Sequence, residues 1–177
     1  MGTVPGILHE ILKRNTPLYD IIKQASKLDL ENYYIGAGCI TQTVWNHLSG
    51  LDLTHGISDV DFVYFNHEDL PIHLTSDVFD IDITNQAKVH LWHEDYFGYG
   101  IEPYTSVEHA IDSWPTAATA VGVRLEGDEL KVYAPFGLDD IFSMTVRANK
   151  VKIAEEIYIQ KVEKWKKKWD KLTIIPW

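Results

Sequence analysis

The sequence predicts a single α/β domain of the α+β kind over residues 1–177, a small mixed sheet with flanking helices and a long amphipathic helix near its C-terminal end. Three observations carry this expectation. Short runs of β-branched and aromatic residues, such as residues 60–65, alternate with segments of helical periodicity. The chain has 177 residues, room for about one domain, and no repeat or low-complexity linker divides it. Tyr158, Val162, Trp165, Trp169 and Leu172 recur every three or four positions, an apolar seam along a helix of about residues 152–172. The sheet-bearing core is expected over about residues 30–147.

The elements follow in order. Residues 7–14 read as a short helix. Thr16 is placed to cap a second one whose first position is Pro17, where the missing N–H costs nothing; Leu18, Ile21, Ile22, Ala25 and Leu28 share its inner face. Tyr33, Tyr34 and Ile35 form a strand that runs into Gly36, Ala37 and Gly38, and residues 40–48 read as helix closed by Ser49 and Gly50. Residues 60–65 read as a central strand. Residues 78–84 alternate strictly, Phe79, Ile81 and Ile83 against Asp80, Asp82 and Thr84. Residues 86–96 look helical, and Ser106 caps a short helix ending near Asp112. Residues 120–126 and 129–134 flank Gly127 and Asp128 as a hairpin, and residues 137–142 make one or two helical turns.

Hydrophobic residues make up 45% of the chain and charged ones 24%, ordinary proportions for a globular protein. The single Cys39 excludes an intramolecular disulfide framework and a four-cysteine zinc site, and fits a reducing compartment. No run of 18 apolar residues exists and the first residues lack a signal-peptide pattern, so a cytoplasmic protein is expected. Charge is divided unevenly. Residues 1–149 carry 22 acidic and 8 basic side chains, whereas residues 150–177 carry 4 and 8. So acidic a body repels a polyphosphate strand, making nucleic acid an unfavourable partner except through the basic C-terminal helix. Those lysines read first as a solvated helix face, with phosphate contact as the alternative. The apolar seam beside them reads as core packing, with a homodimer interface as the alternative. A nucleotide bound by such a body needs a divalent cation to supply positive charge.

The chemistry is concentrated in aspartates. Asp59 and Asp61 stand two apart at the start of an apolar strand, so both face one side of the sheet, about 6–7 Å apart, while Val60 and Phe62 face the other. Asp80 and Asp82 repeat the spacing. If the two strands are neighbours, three or four carboxylates cluster, which is costly unless a metal or proton neutralises them. Mg²⁺ suits such hard oxygen ligands and leaves coordination positions for phosphate oxygens. Upstream, Gly36, Ala37, Gly38 and Cys39 form a turn between a strand and a helix N-terminus, where backbone N–H groups and the helix dipole favour an anion.

The order GAGC, SDVDFVYF, DID resembles the nucleotidyltransferase superfamily, whose catalytic domain is shared with polymerase β and small antibiotic nucleotidyltransferases. A closer resemblance is to a little-characterised nucleotidyltransferase-like family, through TVWNHLSG, NQAKVHLW, SWPTAATAVGVRL, APFGLDDIF and KWKKKWDKL, which span nearly the whole chain. The resemblance implies metal-dependent transfer of a nucleoside monophosphate from a nucleoside triphosphate to an acceptor, with release of pyrophosphate. It implies Mg²⁺ (or Mn²⁺) as cofactor, and Asp59, Asp61 and Asp82 as the catalytic and metal-binding acids. The family's glycine turn falls on Gly38 and Cys39, preceded by Gly36, as phosphate-binding residues. Lys88 is the basic candidate for a phosphate contact, with a surface helix lysine as the alternative. Two departures bear on catalysis. Cys39 stands where the superfamily has serine, and Thr41 and Gln42 stand where the closer family often has Arg-Asn; both remove phosphate donors. A catalytically silent nucleotide-binding or interaction protein of the same fold is the alternative.

Two further patterns are weaker. His90 and His93 followed by Glu94 offer a zinc-like spacing without further ligands. Asp80, Asp82 and Thr84 match the nucleophile motif of haloacid dehalogenase-type phosphatases, but only 93 residues follow, too few for that doubly wound domain.

Overall fold

A computed structural model describes residues 2–177. Helices α1 (Val4–Arg14) and α2 (Thr16–Ser26) pack against the sheet. Asn15 links them, and its side-chain oxygen accepts from the Leu18 N–H, so the second cap falls one residue before the expected Thr16. Strand β1 (Tyr33–Gly36) leads into α3 (Gly38–Ser49), which ends at Gly50 in the left-handed conformation expected of a C-terminal glycine. Strands β2 (Asp59–Tyr64) and β3 (Asp80–Asn85) follow. The helix expected over residues 86–96 is interrupted. A 3-10 turn (Gln86–Leu91), capped by Asn85, gives way at Trp92 to a five-residue helix α4 (His93–Phe97). Helix α5 (Val107–Asp112) is capped by Ser106 as expected, and β4 (Gly122–Glu126) and β5 (Glu129–Tyr133) form the hairpin through Gly127. Helix α6 (Asp139–Phe142), strand β6 (Thr145–Val146), helix α7 (Glu155–Lys168) and strand β7 (Thr173–Ile174) complete the fold.

The five main strands run in the order β3-β2-β1-β4-β5. The β2–β3 pair is parallel, and β1–β2, β1–β4 and β4–β5 are antiparallel. The sheet's two faces have different fates. Tyr33, Ile35, Val60, Phe62 and Val123 point to one side and pack in a core that includes Leu8, Leu12, Leu18 and Ile22 of α1 and α2. Tyr34 and Val63 point to the other side, where Val107 and Ile111 of α5 cover only part of the face. The uncovered part holds the aspartates.

The terminal helix is shorter than its apolar spacing suggests. It ends at Lys168; Trp169 is already extended, and the β-branched run at Thr173 and Ile174 pairs in parallel with β6. All five seam residues are nonetheless buried within the chain's own core. The rings of Trp165 and Trp169 meet Trp45 of α3 edge-on, at centroid distances of 5.7 and 5.4 Å. Among the described residues no helix is long and apolar enough to cross a membrane.

Candidate active site

Register places the aspartates. In the β2–β3 pair Asp59 lies opposite Asp80 and Asp61 opposite Asp82, so all four share one sheet face. The row continues from Asp61 to Gly36 on β1 and Gly122 on β4. Glycine at position 36 is required by space: a Cβ there would sit 2.7 Å from the Val121 carbonyl oxygen and 3.1 Å from the Trp114 ring. A backbone floor without side chains thus adjoins the carboxylates.

The turn after β1 is strained at Ala37. This residue has φ 63° and ψ −143°, a region that essentially only glycine occupies without strain. The conformation starts α3 abruptly beside Asp61, and Ala37 has no side chain to cap the first-turn N–H groups. Those groups therefore stand uncovered by any cap at the positive end of a twelve-residue helix. Gly38, Cys39 and Gln42 line the adjoining cavity of about 570 Å³, within the usual range for small-molecule sites. Of the three substituted positions, Gln42 lines the cavity, and the other two are accounted for locally. The Cys39 thiol is buried and donates to the Gly36 carbonyl at 3.2 Å, and burial, with the charge of Asp61, pushes its pKa well above the ordinary thiol value. The Thr41 hydroxyl is also buried and donates to the Ala118 carbonyl at 2.7 Å. Neither side chain is free to donate to phosphate in this arrangement.

Asp59 and Asp61 both line the cavity. Burial, then the neighbouring charges of Asp82 and Asp59, push the Asp61 carboxyl up to about 6. Asp82 and Asp80 are exposed on the edge strand, across from the cavity-lining pair. Among the described residues no three carboxylate, histidine or cysteine side chains are grouped so that they could hold a metal ion, so Asp59, Asp61 and Asp82 are not gathered into a three-ligand site in this arrangement. The donor set nevertheless fits Mg²⁺, which is commonly held by one or two carboxylates together with substrate phosphates. The raised Asp61 pKa reflects burial first and the neighbouring carboxylates second, and a cation bound there would offset both.

Positive charge on the cavity lining comes from the basic C-terminal helix, for which phosphate contact is the alternative reading. Lys161, Lys164 and Lys168 of α7 all line the cavity. Lys161 is partly buried; burial and the neighbouring Lys164 lower its pKa, while Asp61 pulls it back up. Lys168 donates to the Gly56 carbonyl at 3.0 Å, in the loop that delivers β2. The signal was in the sequence: positions 161, 164 and 168 form one helical stripe beside the apolar seam. The solvated-face reading holds for Lys164, Lys166 and Lys167, which are exposed, whereas the docking of the tryptophan seam leaves Lys161 and Lys168 partly buried beside the cavity. Lys88, on the 3-10 turn, does not line the cavity; its ammonium lies 3.7 Å from the carboxylate of Asp69 in the loop between β2 and β3.

One buried side chain ties these parts together. Asn46 of α3 donates to the Leu53 and His55 carbonyls, at 2.9 and 2.8 Å, and accepts from the Trp169 indole at 2.7 Å. The helix behind the glycine turn, the loop before Asp59 and the lysine-bearing helix are thereby fixed to one another. The two weaker motifs receive other roles. His93 is buried and bonded through Nδ1 to the Tyr99 carbonyl at 2.8 Å. Asp80, Asp82 and Thr84 lie on the edge strand of a mixed sheet.

Comparison with known proteins accords with this geometry. A solved NMR structure described as revealing a CCA-adding enzyme head domain is 23% identical, matches over 96% of both chains and has a TM-score of 0.73, which shows a shared fold. No curated protein matches the chain. The nucleotidyltransferase family model matches residues 23–174, from α2 through β7, and therefore takes in the glycine turn, the paired aspartates and the lysine stripe. The chain belongs to the nucleotidyltransferase family.

Proposed function

We propose that the protein transfers a nucleoside monophosphate from a nucleoside triphosphate to the hydroxyl of an acceptor, releasing pyrophosphate. The observation that carries this reading is that Asp59 and Asp61 line one cavity together with Lys161, Lys164 and Lys168, with Lys161 near enough to Asp61 for each charge to act on the other. Carboxylates alone would repel a triphosphate, and lysines alone would bind any anion. Together they suit an anion that arrives with divalent cations. Asp59 and Asp61 would hold Mg²⁺ (or Mn²⁺), with Asp82 approaching from β3; bound there, the metal supplies charge neutralisation and orients the phosphates.

The chain's own residues do the remaining work. The uncapped N–H groups at Gly38 and Cys39 can donate to phosphate oxygens, a contact that needs no serine or arginine side chain. The α7 lysines counter the charge that builds on the leaving pyrophosphate. Asp82, exposed beside Asp61, can take the acceptor's proton. The test is pyrophosphate release by the purified protein with each NTP, Mg²⁺ and a library of hydroxylated acceptors. Release that disappears in Asp59→Asn and Asp61→Asn supports the assignment. Triphosphate binding with no release from any acceptor favours a silent nucleotide-binding protein, for which the inward-turned Cys39 and Thr41 are the supporting observation.

A further inference from the structure

The triphosphate reading leaves one end of the cavity unused, and that end is aromatic. Helix α7 runs beside the cavity and contributes Ile157, Lys161, Lys164, Trp165 and Lys168 to its lining. Lys168 is tied to Gly56 at one end, and Lys161 faces Asp61 about 10 Å further along at the helical rise of 1.5 Å per residue. Just before the helix, Lys152 lies 4.2 Å from the centre of the Tyr104 ring, and its carbonyl accepts from the Tyr99 hydroxyl. Tyr99, Tyr104 and Trp114 line the cavity there, with Trp92, Tyr96 and Phe97 also on its wall. These last three rings are 43%, 77% and 40% exposed, an unusual display of apolar surface for side chains that pack no core.

In-line displacement at phosphorus places the attacking and leaving oxygens on opposite sides. If pyrophosphate leaves toward Lys164 and Lys168, the attacking hydroxyl enters from the aromatic end. From this, and resting on the reading above, we infer that the aromatic end is the acceptor subsite, and that it takes a small, ring-bearing, hydroxylated molecule with an anionic substituent that pairs with Lys152. The rings supply stacking surfaces. Among the described residues Lys152 forms no ion pair; its ammonium rests on the Tyr104 ring with the Glu102 charge nearby, and it is available to a ligand carboxylate or phosphate. A polynucleotide acceptor is disfavoured by the 22 acidic against 8 basic residues outside the C-terminal segment. In the reaction the acceptor oxygen forms a bond to the α-phosphorus. The bond from that phosphorus to the oxygen bridging to the β-phosphate breaks, pyrophosphate leaves with the electron pair, and the hydroxyl proton passes to Asp82, the base proposed above.

The test uses the full chain and para-hydroxybenzoate as probe, with binding read by quenching of tryptophan fluorescence in Mg²⁺ and a non-hydrolysable NTP analogue. Wild type should bind it, Lys152→Gln about tenfold more weakly, and Lys152→Arg nearly as well as wild type, as expected for a charge-assisted contact. Phenol, which lacks the carboxylate, should bind wild type no better than para-hydroxybenzoate binds Lys152→Gln. Absence of probe binding at millimolar concentration, or equal binding by Lys152→Gln, overturns the inference. So does competition by single-stranded RNA that fades steeply with salt. NTP binding without probe binding overturns this inference alone. Lys152-dependent probe binding in a protein that binds no NTP overturns the acceptor role together with the nucleotide reading.

Discussion

Replacing Asp61 by asparagine should stabilise the metal-free protein while removing its function. The carboxyl titrates near 6 in the folded chain instead of 3.8, because it is buried and flanked by Asp82 and Asp59. Each unit is worth about 1.4 kcal/mol, so ionised Asp61 costs the fold up to about 3 kcal/mol at neutral pH. The sign follows from proton counting. Between about pH 4 and 6 the folded state holds the proton that the unfolded state has lost, so stability falls as pH rises through that window and is level above it. Asparagine has nearly the same shape and no charge to bury. Urea unfolding in EDTA should therefore find Asp61→Asn more stable than wild type by about 1–3 kcal/mol at pH 7.5, with the gap closing below pH 4. Added Mg²⁺ should stabilise wild type and narrow the gap, because a cation bound only by the folded state raises its stability by mass action. A variant less stable than wild type at pH 7.5, or a gap that does not change with pH, would refute the argument that Asp61 carries uncompensated charge.

Three further outcomes follow from the same geometry. Lys161→Gln should weaken binding of Mg²⁺-complexed NTP by about tenfold or more, the worth of one charge-assisted contact, measured by calorimetric titration. Ala37→Gly should stabilise the fold by about 1 kcal/mol in urea, since relief of about 1–3 kcal/mol of backbone strain exceeds the entropy that glycine adds to the unfolded chain. Gly36→Ala should destabilise by about 1–3 kcal/mol in the same assay, because its Cβ meets the Val121 carbonyl at 2.7 Å and the floor beside Asp61 cannot move without the sheet.

Local chemistry made much of this fold readable. The Ser106 cap, the Gly50 stop and the Gly127 turn act within a few residues of themselves, and each falls where its residue type predicts. The alternation around Asp80 and Asp82 likewise put both on one face, although only strand pairing could join that face to Asp59 and Asp61. Other features depend on distant contacts. Two glycines surround Ala37, and nothing local says that the alanine, rather than a glycine, takes the positive φ. The end of α7 at Lys168 reflects pairing of Thr173 with Thr145, which no helical periodicity contains. The lysine stripe was visible as a pattern, but its direction depends on Trp45, over a hundred residues earlier, receiving Trp165 and Trp169. Lys88 shows the converse. It lies near the aspartates in sequence, yet the 3-10 turn sends it to Asp69.

Calorimetric titration of the full chain with ATP, GTP, CTP and UTP in turn, in Mg²⁺ and again in EDTA, tests most directly whether paired aspartates and neighbouring lysines enclose a metal-bound triphosphate. At least one nucleotide should bind in Mg²⁺, lose that binding in EDTA, and lose it again when Asp59 and Asp61 are both changed to asparagine. Failure of all four to bind, or binding of equal strength in EDTA and in the double variant, would contradict the account.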